Sequence, residues 1–153
     1  MPAANTRNLL EQLETVVAQV CDVYRNLPDP DVMVYELWSA KDILAHITFW
    51  HESFARNASD LAAGVKPTPL VGTYPALNQG GVDAMKSCTL DAVIERLQHA
   101  QAMIRDSILD PRVVAIPYRK GSRDYSPAEH LQIVIDHIGR HLRDVVRKAR
   151  RRS

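Results

Sequence analysis

The sequence predicts an all-α protein in which four helices form one bundle. Three observations support this prediction: apolar residues with helical spacing in four long segments, proline- and glycine-bearing stretches between those segments, and a length of 153 residues. That length suits a single domain over residues 1–153. Hydrophobic residues make up 46% of the chain and charged residues 24%, which is ordinary for a globular protein with a buried core.

The first two helices are predicted from periodicity and end signals. In the first, at about residues 6–26, apolar residues recur three and four positions apart. Two prolines in residues 27–30 end it, because proline cannot continue a helix. The second runs over about residues 39–63, where the Ser39 hydroxyl can cap the first turn with Asp42 three residues on. The short connection between them predicts antiparallel neighbours.

A long connection separates the second and third helices. Residues 64–88 are rich in proline and glycine, and we expect them to cross over the end of the bundle, with a short helix near residues 82–86. Loops of this length inside a compact domain are often functional. The third helix is predicted at about residues 89–109 and stops before Pro111.

The fourth helix has the clearest start in the chain. Ser126 suits the N-cap, Pro127 the first helical position and Glu129 the capping box, and the helix continues to about residue 150. The preceding residues 113–125 form either a short hairpin or a loop.

Composition excludes several classes of partner. The formal net charge is +1, so the chain as a whole is not attracted to nucleic acid or anionic lipid. We interpret the basic run in residues 147–152 as a solvated helix end rather than a nucleic-acid-binding tail.

Cys21 and Cys88 form no paired motif, which indicates reduced thiols and a cytoplasmic location. The sequence shows no signal peptide and no apolar run long enough to span a membrane.

Three histidines have the spacing of a metal site. His137 and His141 lie four residues apart, so both project from one face of the last helix, at the border of its apolar stripe. His46 borders the apolar stripe of the second helix in the same way. If these helices are neighbours, the three imidazoles meet at one edge of the core and leave coordination positions open, as in catalytic metal sites. Imidazole suits zinc, nickel, copper and iron, and we expect zinc or nickel.

The alternative is that these histidines merely pack at the core margin with hydrogen-bonded nitrogens. Of the other histidines, His130 either reaches the site from two turns away or is a capping-region residue of the last helix. His51 and His99 are expected to be ordinary, partly exposed residues.

No protein nucleophile stands out, so the catalytic candidates are general bases: His130, Asp42 and Asp144. The two aspartates share helical faces with His46 and His141 and either orient the imidazoles or act as capping and surface charges. Candidate substrate contacts, whose aromatic members could equally belong to the core, are Trp50, Tyr74, Asn78 and Tyr118.

Three segments resemble a known family. Residues 38–51 (WSAKDILAHITFWH) resemble the second-helix signature of the DinB/YfiT-like superfamily, and residues 137–141 (HIGRH) resemble the HxxxH pair of its last helix. Residues 74–78 (YPALN), with the long loop around them, resemble the ClbS/DfsB-like branch. The resemblance covers roughly residues 35–145.

The resemblance implies a four-helix bundle whose metal is held by His46, His137 and His141, and it implies a homodimer. Characterised relatives include metal-dependent thiol S-transferases and maleylpyruvate isomerases that use low-molecular-weight thiols. Members of the ClbS-like branch protect against electrophilic toxins by opening a strained ring.

Three functions therefore compete. The first is a metal-dependent hydrolase or thiol S-transferase that detoxifies small electrophilic compounds, with a low-molecular-weight thiol as a second cofactor. The second is a protein of the same fold that sequesters a metal or small molecule without turnover. A structural protein with packed histidines is the third alternative, and metal content would separate it from the other two.

Overall fold

The structure, a computed structural model, describes residues 2–152, with side chains described for residues 5–151. The predicted domain ends, residues 1 and 153, and the side chain of Arg152 in the basic run lie outside the described part of the chain. The elements in chain order are α1 (Pro2–Arg25), α2 (Ala40–Ala62), α3 (Tyr74–Ala84), α4 (Leu90–Ser107), β1 (Ile116–Pro117), β2 (Asp124–Tyr125) and α5 (Pro127–Arg152). The four long helices form the predicted all-α bundle, and α3 and the strands are additions to it.

Both predicted capping boxes are confirmed. In α2 the Ser39 hydroxyl accepts the backbone N–H of Asp42 at 3.1 Å, and the Asp42 carboxylate accepts the Ser39 N–H at 3.0 Å. In α5 the same pair of bonds joins Ser126 and Glu129, at 3.2 and 3.0 Å. These bonds satisfy N–H groups that the first turn leaves free, so each helix starts at a defined residue. A defined start also determines which helical face each later histidine occupies.

A single apolar core lies between the four long helices. Each contributes side chains at helical spacing, and the largest fully buried ones include Leu13, Tyr24, Ile43, Leu44, Ile94, Leu97, Ile104, Leu131 and Ile138. Burying an aliphatic side chain of this size stabilises the fold by about 1.5–3 kcal/mol. His46 of α2 and His137 and His141 of α5 therefore lie beside a closely packed apolar core.

The order of the helices around the bundle differs from one expectation. In the described chain α1 packs mainly against α5 and α4, and α2 packs mainly against α4, so α1 and α2 are not the adjacent pair that we predicted. The connection between them, residues 26–39, folds back through a bridge between Met33 and Ser39 and leads the chain across the bundle end. Its length did not require the two helices to be neighbours.

The long second connection is explained by the direction of α2 and α4. Asp42 of α2 pairs with Lys86, which lies just before α4. Ten residues further along each segment, Glu52 pairs with Arg96 of α4, so α2 and α4 run parallel. Parallel neighbours need a connection that returns along the whole bundle, and residues 63–89 provide it. The predicted crossover between the second and third bundle helices is thus confirmed.

The short helix in this crossover was misplaced, because α3 begins at Tyr74 rather than near residue 82. Thr73 caps it by accepting the Ala76 N–H at 3.3 Å, and Pro75 occupies the first turn, where proline favours a helix. Pro75 also fits the proline-rich composition of residues 64–88, which is why the helix was expected later in the segment. Gly81 allows α3 to approach α2 closely, because a Cβ there would lie 2.4 Å from Cγ of Phe49.

The segment before α5 is a hairpin, which decides between the two structures left open for it. Ile116 pairs with Tyr125 and Pro117 with Asp124 in an antiparallel register. None of the described helices is both long enough and apolar enough to cross a membrane.

Candidate metal centre

The three predicted histidines converge. The Nε2 atom of His137 lies 3.3 Å from Nε2 of His46 and 2.9 Å from Nε2 of His141. One nitrogen from each of the three rings can be chosen so that all lie within 4.8 Å of one another. The rings meet edge to face, with centroids 4.5 to 5.1 Å apart. This is the convergence that helical spacing on α2 and α5 predicted.

The donor set fits a transition-metal ion. Two imidazole nitrogens bound to a tetrahedral zinc ion at about 2.0–2.1 Å are about 3.3–3.4 Å apart. The separation between His46 and His137 matches this value, and the separation between His137 and His141 is a few tenths of an ångström shorter. Three neutral nitrogens leave a fourth position for water or a ligand. That these residues bind metal stays a prediction.

Burial keeps the three imidazoles neutral, which is the form that binds metal. Burial, followed by the adjacent His137 and His141, lowers the pKa of His46 to about 3. The pKa of His141 falls to about 4, through burial and then the adjacent His137 and Arg140. The pKa of His137 is also lowered, by burial and then by Arg140. Metal binding at neutral pH would therefore displace few protons from these rings.

Tyr35, in the connection between α1 and α2, orients His141. The Tyr35 hydroxyl donates to Oδ2 of Asp144 at 2.6 Å and lies 2.9 Å from Nδ1 of His141. Because that hydroxyl proton goes to the carboxylate, Nδ1 of His141 is the donor in the second bond. The lone pair of the ring is then on Nε2, the atom that lies 2.9 Å from Nε2 of His137. Asp144 therefore acts on His141 through Tyr35, in the manner of the outer partners of metal-binding histidines.

His46 is held by packing instead. The Trp38 ring lies 4.9 Å from the His46 ring, and the buried Nδ1 of His46 has no hydrogen-bond partner among the described residues. Asp42, the other predicted orienting aspartate, caps α2 and accepts a hydrogen bond from Nζ of Lys86 at 2.9 Å. It does not line the cavity described next, so its position favours the capping alternative.

The triad forms part of the wall of a cavity of about 630 Å³, a size that suits a small molecule. The predicted substrate contacts are brought together around it, since Trp50, Tyr74, Asn78 and Tyr118 all line the cavity. The Trp50 indole N–H donates to Oδ1 of Asn78 at 2.7 Å, which orients the amide. Their role as substrate contacts is untested, but their position is the one that such a role requires.

Two further histidines line the same cavity, and the prediction for His51 was wrong. His51 is only 2% exposed, and its Nε2 lies 2.7 Å from Oε1 of Gln101 on α4. His130 is also 2% exposed and stacks between Phe54 and Tyr118; its backbone N–H donates to the Ser126 carbonyl in the first turn of α5, and its side chain reaches the cavity. His99 is exposed, as predicted. Position on one helix predicts a face but does not identify the neighbouring helix, which is why burial of His51 was missed.

Tyr35 and Trp38 were not among the predicted site residues. Trp38 belongs to the segment that resembles the family signature, so a signal for it existed. Tyr35 lies in an irregular connection with no periodicity, and nothing in its local sequence indicates a hydrogen bond to a residue 106 positions away.

Comparison with known proteins agrees with this fold. The structure is similar to the crystal structure of the mycothiol-dependent maleylpyruvate isomerase, with a TM-score of 0.72 and 14% sequence identity over 92% of this chain. The chain spans 60% of the length of that isomerase chain. At this level of identity the likeness shows the fold alone. A search of curated protein sequences found no match.

A family model gives the assignment. The model described as the DinB superfamily matches residues 28–145, which is well over half of the chain. The match includes α2, the crossover and the part of α5 that contains His137 and His141. The chain belongs to the DinB superfamily.

Proposed function

We propose that this protein binds a divalent metal at His46, His137 and His141 and uses it to activate a low-molecular-weight thiol against small electrophilic compounds. The observation that supports this most directly is the convergence of three neutral imidazole nitrogens on the wall of a cavity large enough for a small molecule. A structural metal site would have no use for an adjoining cavity, whereas a catalytic site needs an open position.

The choice of a thiol is supported by the structural neighbour, whose description names a mycothiol-dependent enzyme. When bound, a divalent ion would lower the pKa of a thiol or water at its open position. In the proposed reaction the thiol sulfur forms a bond to an electrophilic carbon. The bond between that carbon and its leaving group breaks, its electron pair stays with the leaving group, and the leaving group takes up the proton released by the thiol.

The chain's own residues would position the reactants and limit access of water. Tyr35 and Asp144 hold His141, and the aromatic rings of Trp38 and Trp50 form walls of the cavity. Most of the cavity surface is apolar, so reacting groups inside it interact through a lower dielectric than in water. Arg140 lines the cavity one residue before His141 and offers a cation to an anionic substrate group.

Metal content is the first test. Protein purified without a His tag and loaded with zinc or nickel should retain one equivalent after gel filtration, and His137→Ala should retain none. His99→Ala is the matched control, because His99 is exposed on α4. A parent protein that takes up neither metal would refute the proposal.

Turnover separates an enzyme from the sequestering alternative. With a soluble thiol and a reactive aryl halide in excess, an enzyme forms many equivalents of thioether per protein, and His137→Ala loses this activity. A sequestering protein stops at one equivalent. Release of product in water without any thiol would favour a metal-dependent hydrolase instead.

The proposal also includes a homodimer in the cytoplasm, with zinc or nickel as the resident metal. Sedimentation equilibrium would give the oligomeric state.

A further inference from the structure

His130 is a buried histidine whose packing leaves one ring nitrogen unsatisfied. Its Nδ1 is fully enclosed and has no hydrogen-bond partner among the described residues. Buried polar groups are hydrogen-bonded in most structures, and leaving one unsatisfied costs about 1–3 kcal/mol. The packing of this ring therefore requires an explanation other than stability.

The ring is also held rigidly. Tyr118 stacks on one face at a centroid distance of 4.2 Å and an interplanar angle of 4°. Phe54 stacks on it at 3.9 Å and 25°. With both stacking partners in place, only the edge of the imidazole is available to a ligand. Because Nδ1 is enclosed, Nε2 is the nitrogen that can meet a molecule in the cavity that His130 lines.

Among the described residues that line the cavity, no charged side chain packs against His130, and the Arg123 guanidinium over the Tyr125 ring is exposed and paired with Glu129. Phe54, Tyr118 and Tyr125 surround the His130 ring. The carboxylate and guanidinium that line the cavity, Asp136 and Arg140, are both exposed. A charged ligand group beside His130 would lose its hydration without gaining an opposite charge. A neutral hydrogen-bonding group would instead meet Nε2 of His130 and gain a partner there.

The distance to the triad defines the length of such a ligand. His130 and His137 lie seven residues apart on α5, a rise of about 10.5 Å. We propose that His130 forms a second subsite, which binds an uncharged hydroxyl or amide group of an elongated thiol whose sulfur lies at the histidine triad. This inference rests on the proposed function and adds to it the class of thiol that the cavity selects.

Both tryptophans of the chain, Trp38 and Trp50, line the cavity, so intrinsic fluorescence reports its occupancy without an activity assay. Zinc-loaded protein is titrated with ω-hydroxyalkanethiols of two to eight carbons and with the matching alkanethiols without the hydroxyl. A hydroxyl both donates and accepts, so the tautomer of His130 does not affect the comparison.

We expect the hydroxyl to improve affinity by about 2- to 10-fold, the value of one net hydrogen bond, at an intermediate chain length and not at the shortest. His130→Phe keeps a stacking ring and should abolish this gain, whereas His99→Phe should retain it. A gain that is equal at every length, or that persists in His130→Phe, would overturn the subsite. The length series in the parent protein decides the question even if His130→Phe does not fold.

The same titration distinguishes failure of the proposed function. If alkanethiols without a hydroxyl bind zinc-loaded parent and His137→Ala equally, the sulfur does not lie at the triad and both proposals fail. If they bind only the parent, but adding the hydroxyl gives no gain in affinity that depends on chain length, the subsite alone is wrong.

Discussion

Replacing Tyr35 by phenylalanine removes one hydroxyl and two hydrogen bonds. The bond to Asp144 is 2.6 Å long and involves a carboxylate, and the bond from Nδ1 of His141 is 2.9 Å long. Without them the His141 ring loses its orientation and the bond that selects its tautomer. Loss of such an outer partner typically weakens metal affinity 10- to 100-fold, or about 1.4–2.7 kcal/mol.

The assay is a zinc titration of parent and Tyr35→Phe in competition with a chelator of known affinity. Tyr24→Phe is the control, because the buried Tyr24 hydroxyl donates to the Ala40 carbonyl and its loss should reduce stability without changing zinc affinity. We expect Tyr35→Phe to bind zinc at least ten times more weakly, with Tyr24→Phe unchanged. Equal affinity in parent and Tyr35→Phe would refute the role assigned to Tyr35 and Asp144.

Three further predictions concern stability. In urea unfolding Gly81→Ala should be destabilised by about 1–3 kcal/mol, because its Cβ would overlap Phe49, whereas Gly80→Ala, whose Cβ meets open space, should be neutral or more stable; the reverse order would contradict the packing of α3. Burial lowers the pKa of His51 to about 4 and of His130 to about 3, so both bind protons more readily when unfolded. The unfolding free energy of metal-free protein should therefore fall as pH drops below about 6.5, by up to about 1.4 kcal/mol per pH unit for each residue, and urea titrations that show no loss between pH 7 and pH 5 would contradict their burial. Bound metal should raise the unfolding free energy by about 2.7 kcal/mol at a free concentration 100 times Kd, so an unchanged melting temperature after verified chelation would count against a site in the folded state.

The helices and the triad could be predicted because local rules determine them. Capping boxes at Ser39 and Ser126 set where α2 and α5 begin, and 100° per residue then places His46, His137 and His141 beside the apolar faces. Convergence required only that α2 and α5 both face the same edge of the core. The sequence therefore contained most of what the triad needs.

The rest depended on contacts between distant segments. Tyr35 reaches α5 from an irregular connection, and the burial of His51 depends on Gln101 of α4. Neither partner can be deduced from the sequence around the histidine. The start of α3 was missed for a different reason. A proline can follow the end of a helix or stand in the first turn of one, and here only the Thr73 cap shows that Pro75 stands in a first turn.

X-ray absorption at the zinc edge, on untagged zinc-loaded protein, tests the histidine triad most directly. We expect one ion per chain with about three nitrogen ligands at about 2.0–2.1 Å, and loss of this signature in His46→Ala, whose missing ligand comes from α2 rather than α5. A spectrum that is unchanged in His46→Ala, or a parent protein that retains no zinc, would contradict a metal centre shared by these two helices.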